Sequence, residues 1–298
     1  MGIVYIILSG LFFLAMNILI KLLSGGTTIT LFGQIQHYPI HELVLARSLV
    51  SFAISASIIY FRKLPLFGNN KKWLISRGIS GTIALTLFFY TIQQTPLAIA
   101  STIQYLGPIF TVLISTYFLR EKIKSIQWLF ISLCFIGVIF LSWDALFSSQ
   151  STFAPIWILI GIISALFSGL AYSSIVKLRE TDEPINIVIY FPMIAIPIMS
   201  LWCLYEFIMP QGIEWLLLLL TGITTQIAQV CMTRALLAEN TAVIAPFQYL
   251  GAIYASLMGF LIFDERLSFY VFIGIFVILT GVILNTIFGK TIRSKKNA

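Results

Sequence analysis

Charge is what this sequence has least of. Only 10% of its 298 residues are Asp, Glu, Lys or Arg, and eleven of these are acidic. A soluble domain is about 25% charged. At 59% hydrophobic and a mean hydropathy of +1.00, the chain has too little polar surface to stay dissolved. Histidine is also scarce: His37 and His41 lie four apart in "HYPIH", where Pro39 works against a helical pair of metal ligands. The three cysteines, Cys134, Cys203 and Cys231, are odd in number and fall inside apolar stretches, which excludes a disulfide framework. HExxH, GxSxG, a Walker loop and a Cys/His cluster with metal spacing are all missing. No cofactor or metal is expected, and nothing points to an enzyme.

Long apolar runs take the place of charge. Crossing the hydrocarbon of a bilayer takes about 20 apolar residues in a helix. Ten such stretches are predicted, at 3–23, 42–61, 73–93, 96–119, 127–146, 154–176, 186–208, 215–236, 243–263 and 270–289. The expected fold class is therefore an all-α polytopic membrane protein. The first stretch lacks a basic n-region and a small-x-small cleavage site, and it carries Asn17 and Lys21. It reads as a retained first helix. The longest connection, 24–41, carries both histidines.

The net charge of +7 is distributed by side rather than gathered for nucleic acid. With both termini in the cytoplasm, fifteen of the eighteen basic residues fall at inner loops or helix ends. Among them are Lys63, Lys72, Arg77, Arg120, Lys124, Arg179 and Lys295. That bias follows the positive-inside rule. No carboxylate lies in the middle of a stretch, so exchange or facilitated movement is favoured over a proton relay.

The chain also repeats itself. "QYLG" occurs at 104–107 and again at 248–251, and Glu121 and Glu265 keep the same interval of 144. At that offset, 95–143 aligns with 239–287 without a gap, and "GVI" recurs at 137–139 and 281–283. "LAMNILIK" (14–21) matches "LAYSSIVK" (170–177) at a shifted offset. Two five-helix units are expected, 1–146 and 147–289, followed by a basic cytoplasmic tail, 290–298. Five is odd, so the second unit enters the membrane from the opposite side. Inverted repeats are the plan of alternating-access carriers, which bind solute near the midplane between the halves. Pro108 and Pro246, near the tetrads, remove backbone hydrogen bonds and are expected to bend these helices.

These segments resemble a known family. "TPLAIASTIQYLGPIFTVLISTYFLREKIKSIQWLFISLCFIGVI", its echo "FDERLSFYVFIGIFVILTGVI" and the arginine-bearing "HELVLARSL" are similar to the drug/metabolite transporter superfamily, EamA type. "APFQYLGAI" resembles the corresponding helix of bacterial S-adenosylmethionine carriers. The resemblance implies a ten-helix carrier in the bacterial cytoplasmic (inner) membrane. It is specific for fold and open for substrate.

Polar side chains inside spans mark either packing or a pathway. Arg47 is the sharpest candidate, because it cannot lose its proton and must find a partner or water. Asn17, Tyr90, Gln104, Tyr172, Gln229 and Gln248 complete the expected substrate-binding set. Thr82, Thr86, Tyr90 and Gln93 form one stripe on the third helix, and Thr225, Gln229 and Thr233 another on the eighth. The function expected is secondary transport of a small polar metabolite, an amino acid or a derivative such as S-adenosylmethionine. The other class in view is a membrane-embedded lipid- or partner-binding protein or enzyme. The expected partners are a small-molecule substrate, membrane lipids and, in a homodimer, a second copy.

Overall fold

The computed structural model of the chain describes residues 1–24, 35–95, 97–143, 154–263 and 268–294. Every regular element among them is a helix. A backbone N–H or C=O in hydrocarbon finds no water, and a helix satisfies both within its own segment. The first half holds α1 (Gly2–Leu23), α2 (Ile40–Arg62), α3 (Lys71–Gln94), α4 (Leu97–Gln104), α5 (Leu106–Tyr117) and α6 (Ser125–Leu141). The second half holds α7 (Ile156–Lys177), α8 (Pro184–Cys203), α9 (Glu214–Ala238), α10 (Thr241–Gln248), α11 (Leu250–Phe263) and α12 (Phe269–Ser294).

Among the described residues, nine helical stretches are long and apolar enough to cross a membrane. Two of them are composite: α4 with α5 gives Ile99–Tyr117, and α10 with α11 gives Thr241–Met258. The tenth, α6, has 17 residues and rises about 26 Å, a little less than the hydrocarbon thickness. Its predicted continuation, 144–146, lies outside the described residues, as do Asp144, Asp264, Glu265, Arg266, Lys295 and Lys296. Outward-facing side chains such as Leu8, Leu159, Phe272 and Phe276 are exposed and apolar, which suits a surface solvated by lipid tails.

The packing keeps its pattern when the two halves are exchanged. The first crossing helix of each half packs on the third of the other, α1 on α9 and α7 on α3. The second helices, α2 and α8, meet each other, and so do the last, α6 and α12. At this last contact the reciprocity reaches single atoms. A Cβ added at Gly137 would stand 2.7 Å from Ile278 Cγ1 and 2.9 Å from the Gly274 carbonyl. Its counterpart Gly281 would bring a Cβ against Cys134 Sγ, and Cys134 donates a 3.7 Å bond to the Ile278 carbonyl. Residues 134 and 137 thus face 278 and 281, their own counterparts at offset 144. Lipid supplies no hydrophobic drive between helices, so close backbone approach through glycine provides the van der Waals contact.

Polar side chains tie the connections at the two ends of α2. At its C-terminal end, Asp182 accepts from the backbone N–H groups of Asn69 and Asn70 at 2.5 and 3.2 Å. Nearby, Arg179 donates to the carbonyls of Leu236 and Glu239, both at 2.7 Å, and pairs with Glu121 at 3.6 Å. Glu121 also accepts from the Thr241 hydroxyl at 2.6 Å. At the N-terminal end of α2, Glu214 accepts from the N–H groups of Gln36 and Gln211, both at 2.7 Å. There Glu42 takes the Ile208 N–H at 3.0 Å, and His41 stacks on Trp202 with ring centroids 5.9 Å apart. The connections 63–70 and 178–183 therefore share one end, and 35–39 and 204–213 the other.

Gly137→Val should drive α6 and α12 apart. We expect a loss of about 1–3 kcal/mol of stability, read as a lowered melting temperature in detergent, whereas Gly10→Ala, whose Cβ would meet only the Tyr254 ring at an ordinary 3.6 Å, should cost far less.

Candidate functional site

The fourth crossing segment of each half is interrupted at the QYLG tetrad. α4 stops at Gln104 and α5 resumes at Leu106; α10 stops at Gln248 and α11 resumes at Leu250. Prolines were expected to bend these helices, and the first one fits: Pro108 has no N–H to give the Gln104 carbonyl. Pro246 lies on the other side of its break, three residues before Tyr249. There the Tyr249 N–H turns to the carbonyl of Pro246, at 3.3 Å, one residue short of the α-helical partner. The break therefore follows the tetrad, and the prolines only assist it. Tyr105 and Tyr249, the two interruption residues, face each other with ring centroids 5.9 Å apart.

Beside the breaks lies a cavity of about 180 Å³. Both halves line it. The first contributes Asn17, Arg47, Arg77 and Gln104, and the second Tyr172, Gln229 and Gln248. Six of the seven residues expected from the sequence thus share one cavity. Tyr90 does not line it. The face of α3 that does runs through Arg77, Gly81, Ala84, Leu85 and Phe88, at helical spacing. Tyr90 sits on a different face, packed against the cluster of Met16, Phe88 and Phe89. Thr82 and Thr86, on the same predicted stripe as Tyr90, bond the carbonyls of Gly78 and Thr82 in their own helix, at 2.9 and 2.8 Å.

Arg77 is the residue that the sequence reading put in the wrong place. Counted as a cytoplasmic-end charge, it is in fact 2% exposed, near the first turns of α3, with its head in the cavity. Its Nη2 donates to Gln229 Oε1 at 2.8 Å, and its guanidinium lies 6.0 Å from the Tyr172 ring centroid. Glycine makes the room: a Cβ at Gly81 would collide with the Arg77 guanidinium. A basic residue followed by Gly78 and Gly81 was the available signal. Taking Arg77 out of the basic count leaves the charge bias on the same side.

Arg47 is 1% exposed. Its guanidinium lies 5.0 and 5.9 Å from the ring centroids of Phe191 and Phe89, and Nη1 contacts Met16 Sδ at 3.4 Å. Nε and Nη2 have no hydrogen-bond partner, nor has Arg77 Nε. Asn17 Oδ1 is likewise buried without a donor. The other amides are better supplied: Gln104 donates to Ser168 Oγ at 2.7 Å and accepts from Ser164 Oγ at 3.1 Å. Gln226, beside Gln229 in sequence, turns away and bonds Ser51 and Ser55, fastening α9 to α2. Among the described residues no group of three His, Cys, Asp or Glu could hold a metal ion.

Comparison with known proteins agrees with this architecture. The chain matches the EamA-like transporter family over residues 1–143 and 155–287, one match for each half, and it belongs to that family. It is 30% identical to the pseudopaline exporter CntI of Pseudomonas aeruginosa over 270 residues, 89% of this chain and 88% of the relative. It is 22% identical to an S-adenosylmethionine uptake transporter of Rickettsia prowazekii, over 72% of this chain and 71% of that one. A solved crystal structure superposes with a TM-score of 0.73 at 18% identity, covering 95% of this chain and 98% of its own. The protein is thus a multi-pass membrane protein of a transporter family.

Two buried guanidinium groups without counter-charge burden the empty fold. Arg47→Met should therefore raise the melting temperature of the ligand-free protein, by about 1–3 kcal/mol of stability, while abolishing solute binding. A variant that loses stability instead would show that Arg47 holds the helices together.

Proposed function

We propose that the protein is a secondary carrier that moves a small polar organic metabolite of the amino-acid class by alternating access. One observation carries the reading: both interrupted helices end on a glutamine that lines a single cavity between the halves. Tyr105 and Tyr249 keep right-handed helical φ, −69° and −68°, so each break is a local loosening of the helix, of the kind tolerated at membrane depth where it is buried in protein or lines such a cavity. In carriers built from repeats, discontinuous helices flank the solute site. The exporter and uptake names of the two relatives support transport as the activity.

The inverted relation of the halves is supported by the connections. The described part of the link between the first two helices of one half, 35–39, and the equivalent link of the other, 178–183, lie at opposite ends of α2 and its neighbours. Because α1 packs on α9 and α7 on α3, the bodies that would move around the cavity are bundles mixing helices of both halves. The end that carries Lys63, Lys71, Lys72, Lys122 and Lys177 is the cytoplasmic one on charge grounds. With ten crossings, both termini lie there, in the cytoplasmic membrane of a bacterium.

Two measurements test this. Single cysteines at positions 67 and 180 should react with a membrane-impermeant maleimide only from the cytoplasmic face, and those at 36 and 211 only from the outer face. Purified protein in liposomes should move a labelled amino-acid-class solute down its gradient, with Arg77→Met lowering the rate at least about tenfold. Labelling of 67 and 36 from one face would overturn the topology, and tight solute binding without flux would overturn carriage.

A further inference from the structure

The cavity is charged, and its charge is of one sign. Arg47 and Arg77 both enter it, and no Asp or Glu is among the described residues that line it. Their neighbours are a thioether, aromatic rings and one amide oxygen, none of which neutralises a cation. Arginine stays protonated, so the pair is a standing double positive charge in a site of low dielectric.

We propose that the solute is an amino compound with two separate anionic groups, one for each guanidinium, as in an amino dicarboxylate. The inference rests on the carrier reading for the word solute alone; the charge requirement holds for any ligand of this cavity. Two features argue for separate groups. Arg47 lies seven residues into α2 and Arg77 six residues into α3, helices that start from opposite ends of the bundle. Their Cα atoms are thus each about 10 Å from opposite ends, so the two heads converge on the cavity from different directions. Each also keeps unpaired N–H groups, Nε and Nη2 on Arg47 and Nε on Arg77, suited to a planar oxyanion. A solute with a single anionic group would pair one head and leave the other buried and unpaired.

The amino group is argued from the acceptors. Asn17 Oδ1 is a buried oxygen without a donor, and Asn17 lines the same cavity. An N–H of the solute would satisfy it. The volume, about 180 Å³, suits a metabolite of amino-acid size. S-adenosylmethionine has one carboxylate and a net positive charge, which adds to that of the site rather than offsetting it, so the charge of the site selects against it.

Isosteric pairs test the charge directly. Thermal-shift titrations of the full chain in detergent would compare L-glutamate with L-glutamine, and L-2-aminoadipate with its monoamide. O-phospho-L-serine against L-serine serves as the phosphate arm. The member of a pair with two anionic groups should bind at least about tenfold more tightly than its partner, and Arg77→Gln or Arg47→Gln should abolish that preference in a protein that still melts cooperatively. Preference confined to phosphoserine would assign one of the anionic groups as phosphate, and preference confined to the carboxylate pairs would assign both as carboxylates. Equal binding within every pair, preference for the neutral member, no binding by any member with two anionic groups, or a preference that survives both substitutions would overturn the proposal. Flux assays with the same ligands separate the two readings. Discrimination without flux would sink carriage and leave the charge assignment standing; flux of neutral or cationic solutes without discrimination would do the reverse.

Discussion

A peptide group in hydrocarbon must be hydrogen-bonded by the protein itself, because nothing in the lipid can do it. That constraint explains why the described chain is helical wherever it crosses, and it gives the exceptions their meaning. α4–α5 and α10–α11 each give up regular helix at one residue, Tyr105 and Tyr249. Both residues sit deep between the halves, where Tyr249 is fully buried and Tyr105 lines the cavity. Such breaks would be expensive facing lipid. They are tolerable because the backbone groups stay paired: Tyr105 N–H keeps its bond to the Ser101 carbonyl at 3.0 Å, and Tyr249 N–H takes the Pro246 carbonyl. An interruption at matching positions in both halves therefore marks the place where the fold exchanges regularity for a site.

The scaffold is close to symmetric under exchange of its halves, and the site is not. Cys134 meets Ile278 and Tyr105 meets Tyr249 as counterparts, and Gly137 and Gly281 admit the opposite helix at matching positions. The cavity draws its two cations from α2 and α3 of the first half, while the second half gives it Tyr172, Gln229 and Gln248. Symmetry is useful to a mechanism that must present one site to two compartments. Chemical recognition has no such need: a solute is itself asymmetric, and the lining that fits it differs from one half to the other.

Much of the fold was legible in the sequence because its determinants are one-dimensional. Runs of about 20 apolar residues, the 144-residue offset and the one-sided basic loops survive reading without coordinates. Most of the predicted lining was legible for a related reason. An amide or a guanidinium inside an apolar run has few places to go, and Asn17, Arg47, Gln104, Gln229 and Gln248 do reach the cavity. Tyr90 and Arg77 were misread, for opposite reasons. Tyr90 has an apolar ring that packs as well in a core as in a cavity, and helical phase alone put it on the wrong face. Arg77 lies within a turn or two of a cluster of lysines, so its charge blended into the loop. Its depth is set by something local sequence hardly signals: space vacated by Gly81, and the oxygen of Gln229 waiting 152 residues downstream.

The placement of the arginines also bears on how a carrier keeps an empty site from collapsing. Hydrophobic side chains alone would close on one another in the absence of solute. Two like charges in one cavity resist that, since bringing them together in a medium of low dielectric raises their repulsion steeply. Phe89 and Phe191 hold one head in place through their ring faces, and Gln229 holds the other. On the proposal that the solute is anionic, this repulsion would help hold the cavity open, and a solute that relieves it would let the halves draw closer. Occupancy and closure would then be coupled through charge, with no need for a titrating carboxylate in the middle of the membrane.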